Sequence, residues 1–109
     1  LTVNVLFCYG GQQEIVAGAK RIAQQVKDGL IAESDIDIAL FKKQLWMDNT
    51  PEPELIIRTG GHKRLSNFLI FHAAYSELYF LDCMWPDVTN AELEKAIAYY
   101  TQLERNFGV

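Results

Sequence analysis

A chain of 109 residues, 50% apolar and 22% charged, has the makeup of one globular domain or part of one, which excludes a disordered or membrane-spanning protein. A net charge of −4 and a pI near 5.0 set up a field that repels nucleic acid and anionic lipid surfaces, so nucleic acid is not an expected partner. Cys8 and Cys83, each among bulky apolar neighbours and without Cys-x-x-Cys spacing, read as buried reduced thiols of a cytoplasmic protein.

Residues 2–9 are a nearly unbroken run of β-branched, aromatic and other apolar residues, the pattern of a strand buried on both faces of a parallel sheet. The opening Leu1-Thr2-Val3 carries no methionine and no basic leader, and reads as the inside of a longer protein. Gly10 and Gly11 close the run, and from Gln12 the period changes. Ile15, Val16, Ala19, Ile22, Ala23 and Val26 form one stripe of a helix, opposite Gln13, Lys20, Arg21, Gln24, Lys27 and Asp28, and Gly29 stops it. The turn at 9–12 has two readings, a plain strand-to-helix connection or a phosphate cradle. A short helix through Ile38, Leu40, Phe41, Leu45 and Trp46 follows, capped by Asp35 or Asp37, with Lys42 and Lys43 on a solvated face. Residues 48–53, with two prolines, are an extended connector.

Residues 55–59 read as a second strand that delivers Arg58 to its carboxyl end, the edge where open α/β sheets bind ligands. Gly60, Gly61, His62, Lys63, Arg64 and Ser66 follow at once. This order describes an anion cradle. The glycines let backbone amides point inward. Ser66 or Asn67 caps a helix whose positive end faces the same spot, and Arg58 and Arg64 grip phosphate oxygens in forked pairs. The expected ligand is a phosphate or diphosphate. A short buried helix over 67–75 and a third strand over 77–80 come next, the strand opening on Glu77 and broken by Trp85-Pro86. Glu77 is either a salt-bridge or edge charge, or a hard oxygen ligand for Mg²⁺ beside a diphosphate. His72, amid apolar residues, reads as a core histidine. Thr89 to Glu92 form a capping box, and Leu93, Ala96, Ile97, Tyr100, Leu103 and Phe107 give the closing helix its apolar stripe, ended by Gly108.

The run Ile57-Arg58-Thr59-Gly60-Gly61-x-x-Arg64-Leu65-Ser66-Asn67-Phe68-Leu69, continued by Ala74-Tyr75-Ser76-Glu77-Leu78-Tyr79-Phe80 and Trp85-Pro86-Asp87, closely resembles the C-terminal half of the cis-prenyltransferases, typified by undecaprenyl diphosphate synthase. The likeness extends over essentially all of residues 1–109, so the chain is expected to be a partial domain, the C-terminal half of that fold. The resemblance implies an α/β fold, a mainly parallel sheet flanked by helices, and a transferase that condenses isopentenyl diphosphate with an allylic diphosphate such as farnesyl diphosphate, to give a polyprenyl diphosphate. It assigns Arg58, Gly60, Gly61, Arg64 and Ser66 to the isopentenyl diphosphate and Glu77 to Mg²⁺. It further implies a homodimer, and peripheral membrane association through the lipid product. The family's N-terminal motif for the allylic diphosphate is absent here, so this chain alone is not expected to catalyse.

Four positions depart from the family pattern. Cys8 replaces an asparagine, Gln12 an arginine and His62 a glutamate, and Asn106-Phe107-Gly108 stands where an Arg-x-Gly is frequent. Each removes a charge or hydrogen bond, so a second reading is a non-catalytic relative serving as a regulatory or partner subunit. An unrelated phosphate-binding α/β module is a third, but the chain has neither a Walker-type lysine nor a full Gly-x-Gly-x-x-Gly.

Overall fold

The computed structural model describes residues 1–104, which fall into two compact units, one made of Leu1–Pro51 with Asn67–Phe71 and the other of Glu52–Ser66 with His72 onward.

In the first unit, helix α1 spans Gly11–Lys27. It ends as its sequence predicts, with Gly29 left-handed at φ 71° and the N–H groups of Gly29 and Leu30 donating to the carbonyls of Val26 and Gln25 at 3.1 and 2.9 Å. The buried face is not the expected one. Gly11, Glu14, Gly18 and Ile22 are buried, at helical spacing, while Val16, Ala19, Ala23 and Val26 stay exposed. The cause is Glu14, whose side chain is wholly buried and accepts from the N–H groups of Trp46 and Met47 at 2.9 and 3.3 Å and from the Tyr9 hydroxyl. A desolvated carboxylate is tolerated only where donors replace its water, and those donors lie on one side of the helix. Polar satisfaction therefore sets the rotation of α1. Arg21 and Gln25 extend the same face, donating to the carbonyl and the side chain of Gln44 at 2.8 and 3.0 Å.

Helix α2, Ile38–Lys42, is capped by Asp37, whose Oδ1 accepts from the Leu40 N–H at 2.7 Å. Asp35 instead accepts from the Ala32 N–H at 2.8 Å and closes the short turn Glu33–Asp35. Phe41 packs on Phe71 at 5.4 Å between ring centroids, and Leu45 is buried.

Three further expectations fail, at residues 2–9, at Cys8 and over residues 67–75. Residues 2–9 form no strand, and Leu1, Val3, Val5 and Phe7 are exposed. A strand exists only where a neighbour takes its N–H and C=O groups, and the sheet among the described residues holds only the two strands of the second unit. Cys8 in that run is exposed, not buried. The expected helix over 67–75 is replaced by successive turns. Ser66, Asn67 and Leu69 have φ of 50°, 67° and 47°, and residues in the left-handed region cannot continue a right-handed helix.

In the second unit, β1 (Leu55–Arg58) and β2 (Glu77–Phe80) pair in parallel, with Leu55 opposite Glu77 and Arg58 opposite Phe80. Helix α3, Asn90–Gln102, packs on them through Tyr99 against Tyr79, ring centroids 5.2 Å apart, and through the Tyr100 hydroxyl, which donates to Glu54 at 2.9 Å. Ala96 and Leu81 form its core and His72 is buried as expected. Thr89 Oγ1 accepts from the Glu92 N–H at 3.4 Å, but the Glu92 carboxylate pairs forward with Lys95 at 3.3 Å, so only half of the capping box forms. Asn106, Phe107 and Gly108 lie outside the described residues. The α/β class with a parallel sheet and flanking helix is what the fold is. No helix among the described residues is long and apolar enough to cross a membrane.

Replacing Glu14 by alanine leaves the Trp46 and Met47 N–H groups without their acceptor, and urea denaturation should show a loss of about 2–4 kcal/mol, with Glu14→Gln losing less. Burial, and then the Glu14 acceptor, push the Tyr9 hydroxyl far above the ordinary phenol range. The unfolded tyrosine releases its proton near pH ~10 while the folded one keeps it, so this contribution is present below pH ~10 and is lost as pH rises. The stability difference between the wild type and Tyr9→Phe should therefore narrow above pH ~10.

Candidate functional site

The carboxyl end of β1 leads directly into the expected cradle. The Leu81 N–H donates to the Arg58 carbonyl at 2.7 Å, then the Gly61 N–H donates to the Leu81 carbonyl at 3.0 Å and the Gly60 N–H to the Cys83 carbonyl at 2.9 Å. The chain after β1 is thereby stitched to the chain after β2. This corrects the role predicted for the glycine amides, which are occupied by carbonyls and form no inward-facing nest. What Gly60 and Gly61 supply is backbone conformation, at φ 88° and 72°. A side chain there would have room, its β-carbon lying 3.8 Å from Met84 Sδ at position 60 and 3.6 Å from Asp82 Oδ1 at position 61. The constraint is therefore torsional, not steric.

The turn sends the following residues back over Arg58. Its Nη1 donates to Ser66 Oγ at 2.8 Å and also to the Arg64 carbonyl. Three of the expected site residues, Arg58, Arg64 and Ser66, are thus brought to one place. The Arg58 side chain is held by two contacts of its own loop, so it is oriented before any ligand arrives. The side chain of Arg64 is exposed, as are His62 and Lys63, and the described residues give the Arg64 guanidinium no hydrogen bond or ion pair. This group of cations belongs to a chain of net charge −4, so any anion it attracts is drawn to a local feature. The arrangement suits an anion with several oxygens, gripped by guanidinium and hydroxyl side chains and not by amides.

Two further parts of the expected cradle are absent. No helix begins at Ser66 or Asn67, so no helix dipole adds to the arginines. At the start of α1, the N–H groups of Gly11 and Gln12 donate to the carbonyl and Oδ1 of Asn67 at 2.7 and 2.8 Å, which makes the turn at 9–12 a plain one for those two donors. Asn67 is a helix cap after all, but for a helix 55 residues earlier in the chain. Its type was a usable signal, whereas its partner was invisible because capping rules look only a few residues ahead.

Glu77 sits at the amino end of β2, opposite Leu55, three residues along the ladder from the Arg58–Phe80 pair, or roughly 10 Å. Among the described residues no group of three or more histidine, cysteine, aspartate or glutamate side chains gathers as a metal centre. Mg²⁺ beside a diphosphate takes only one or two carboxylates, with phosphate oxygens and water completing its shell. One half-buried carboxylate such as Glu77 fits that donor set. Asp82, unremarked in the sequence, is the carboxylate placed nearest the glycine turn.

The family model described as putative undecaprenyl diphosphate synthase matches residues 1–108. A tritrans,polycis-undecaprenyl-diphosphate synthase (geranylgeranyl-diphosphate specific) of Methanopyrus kandleri is 46% identical over 106 residues, 97% of this chain and 39% of the relative. A ditrans,polycis-undecaprenyl-diphosphate synthase ((2E,6E)-farnesyl-diphosphate specific) of Haemophilus influenzae is 45% identical, over 99% of this chain and 45% of its own length. Among solved structures, lavandulyl diphosphate synthase from Lavandula x intermedia in complex with dimethylallyl diphosphate superposes with a TM-score of 0.86 at 39% identity, covering 90% of this chain and 42% of that one. The chain thus spans less than half the length of these relatives.

Alanine at position 60 or 61 has space but must adopt a left-handed backbone. Each substitution should cost about 1–2 kcal/mol in thermal or urea unfolding, and asparagine at the same positions should cost less.

Proposed function

The chain belongs to the undecaprenyl diphosphate synthase family, and on that footing we propose that it supplies the isopentenyl-diphosphate site of a cis-prenyltransferase. The observation that carries this reading is the Arg58 guanidinium meeting Ser66 Oγ at 2.8 Å at the carboxyl end of β1, in the loop that also carries Arg64. In this reading Arg58, Arg64 and Ser66 hold the diphosphate of isopentenyl diphosphate, and Gly60 and Gly61 shape the loop that presents them. Glu77 is the carboxylate that holds Mg²⁺, an ion that supplies positive charge to offset diphosphate oxygens.

The reaction is a condensation in which the C–O bond of an allylic diphosphate breaks and the isopentenyl double bond attacks the allylic carbon. Loss of a proton then leaves a new double bond of cis geometry. The part of this chain is to fix one reactant by its diphosphate so that its double bond meets the allylic carbon at close range. Arginine forks suit that task because they fix direction as well as charge. Farnesyl diphosphate is the allylic substrate we propose for the first test, geranylgeranyl diphosphate being the alternative that the Methanopyrus kandleri relative's name carries. A cytoplasmic homodimer that meets the membrane through its lipid product completes the reading.

In the whole protein assayed with Mg²⁺, farnesyl diphosphate and labelled isopentenyl diphosphate, chain extension is the expected outcome. Arg58→Ala should raise the KM for isopentenyl diphosphate roughly 10- to 100-fold, the equivalent of one lost charge-assisted contact. Absence of any extension by the wild type across metal conditions would favour the non-catalytic partner-subunit reading, to which Cys8, Gln12 and His62 point.

A further inference from the structure

We infer that Leu81 is a positioning residue, whose buried side chain anchors the main-chain clamp that fixes where the Arg58 side chain starts from. The inference rests on the reading of Arg58 as a diphosphate ligand, and every residue it uses belongs to the second unit.

Leu81 follows β2 directly and turns both of its main-chain polar groups on the loop that leaves β1. Its N–H donates to the Arg58 carbonyl at 2.7 Å, and its carbonyl accepts from the Gly61 N–H at 3.0 Å. One residue thus grips the loop on either side of Thr59 and Gly60. The separation between Arg58 and Gly61 is set by the N–H and the carbonyl of a single residue, and the chain meets it with left-handed torsions, φ 88° at Gly60 and 72° at Gly61. With its carbonyl fixed, Arg58 has little freedom in the torsion that joins its α-carbon to the next peptide. The base of its side chain is thereby set, and the far end meets Ser66 Oγ at 2.8 Å.

Such a clamp is as rigid as the residue that makes it. Leu81 is 5% exposed, whereas Asp82 beside it is exposed and Cys83, whose carbonyl accepts from the Gly60 N–H at 2.9 Å, is half-buried. A close-packed side chain holds its own backbone in one place, while surface backbone opens more readily. The core of this unit therefore acts on the loop through Leu81. Shortening that side chain leaves both hydrogen bonds chemically possible but removes what keeps them in register. Ala96 of α3 is fully buried in the same unit and belongs to a helix that gives the loop no main-chain bond, so it serves as a control for loss of stability alone.

The test uses the whole protein with Mg²⁺, isopentenyl diphosphate and farnesyl diphosphate being varied in turn. Leu81→Ala is expected to raise the KM for isopentenyl diphosphate about tenfold, with a smaller change in kcat and none in the KM for farnesyl diphosphate. Leu81→Met keeps the volume and should stay near the wild type. Ala96→Gly weakens α3 and should lower the melting temperature without raising either KM. Leu81→Val, a smaller truncation, takes the place of the alanine variant if that one does not fold, and should show the same change to a lesser degree. A wild-type KM for isopentenyl diphosphate in the folded truncation overturns the inference. So does an equal rise in the Ala96→Gly protein, or a Leu81→Met protein no better than the truncation. Arg58→Ala run alongside separates the two layers. An unchanged KM there overturns the diphosphate reading itself, whereas a raised KM there with wild-type values at position 81 overturns only the role of Leu81.

Discussion

The parallel pairing of β1 with β2 is the constraint from which the candidate site follows. With Arg58 opposite Phe80, the residues after each strand emerge side by side, and the ladder carries on into irregular backbone through Arg58, Gly60, Gly61, Leu81 and Cys83. Five hydrogen-bonding positions so tied leave the loop one way to leave the sheet, through two left-handed glycines. That exit returns Arg64 and Ser66 to the Arg58 side chain. The loop that carries Arg58, Arg64 and Ser66 is thus placed by main-chain bonding, the usual division between a scaffold and the side chains it presents.

The other unit is organised by two polar side chains that do the work expected of apolar surface. Glu14 draws together the start of α1, Tyr9 and the backbone at 46–47, while Asn67 binds the exposed donors of the same helix turn. Both satisfy the same rule, that buried or helix-terminal polar groups must find partners. Their joint consequence is that the amides at the beginning of α1, which invite an anion in isolation, are closed to one at Gly11 and Gln12.

The departures from the family pattern can now be placed. Cys8 is exposed with a left-handed backbone at φ 52°, Gln12 contributes its N–H to the Asn67 cap, and His62 is exposed beside Lys63 and Arg64. None of the three interrupts the hydrogen bonds between Arg58 and its loop.

What the residues determined alone was everything set by short-range chemistry. Gly29 ends α1, an aspartate at 35 or 37 caps α2, Thr89 opens α3, short aliphatic and aromatic runs give β1 and β2, and the Arg-Thr-Gly-Gly run names the family. Each depends on neighbours within a turn or two, or on a motif whose spacing is preserved. Tertiary structure alone decided the rest. Residues 2–9 have strand composition but no strand, because pairing requires a second chain segment that composition does not specify. The face that α1 buries was set by donors at Trp46 and Met47, more than thirty residues away. The glycine amides turned from ligand toward Leu81 and Cys83, since a carbonyl brought close by the fold satisfies an N–H as well as a phosphate does, and it is always present.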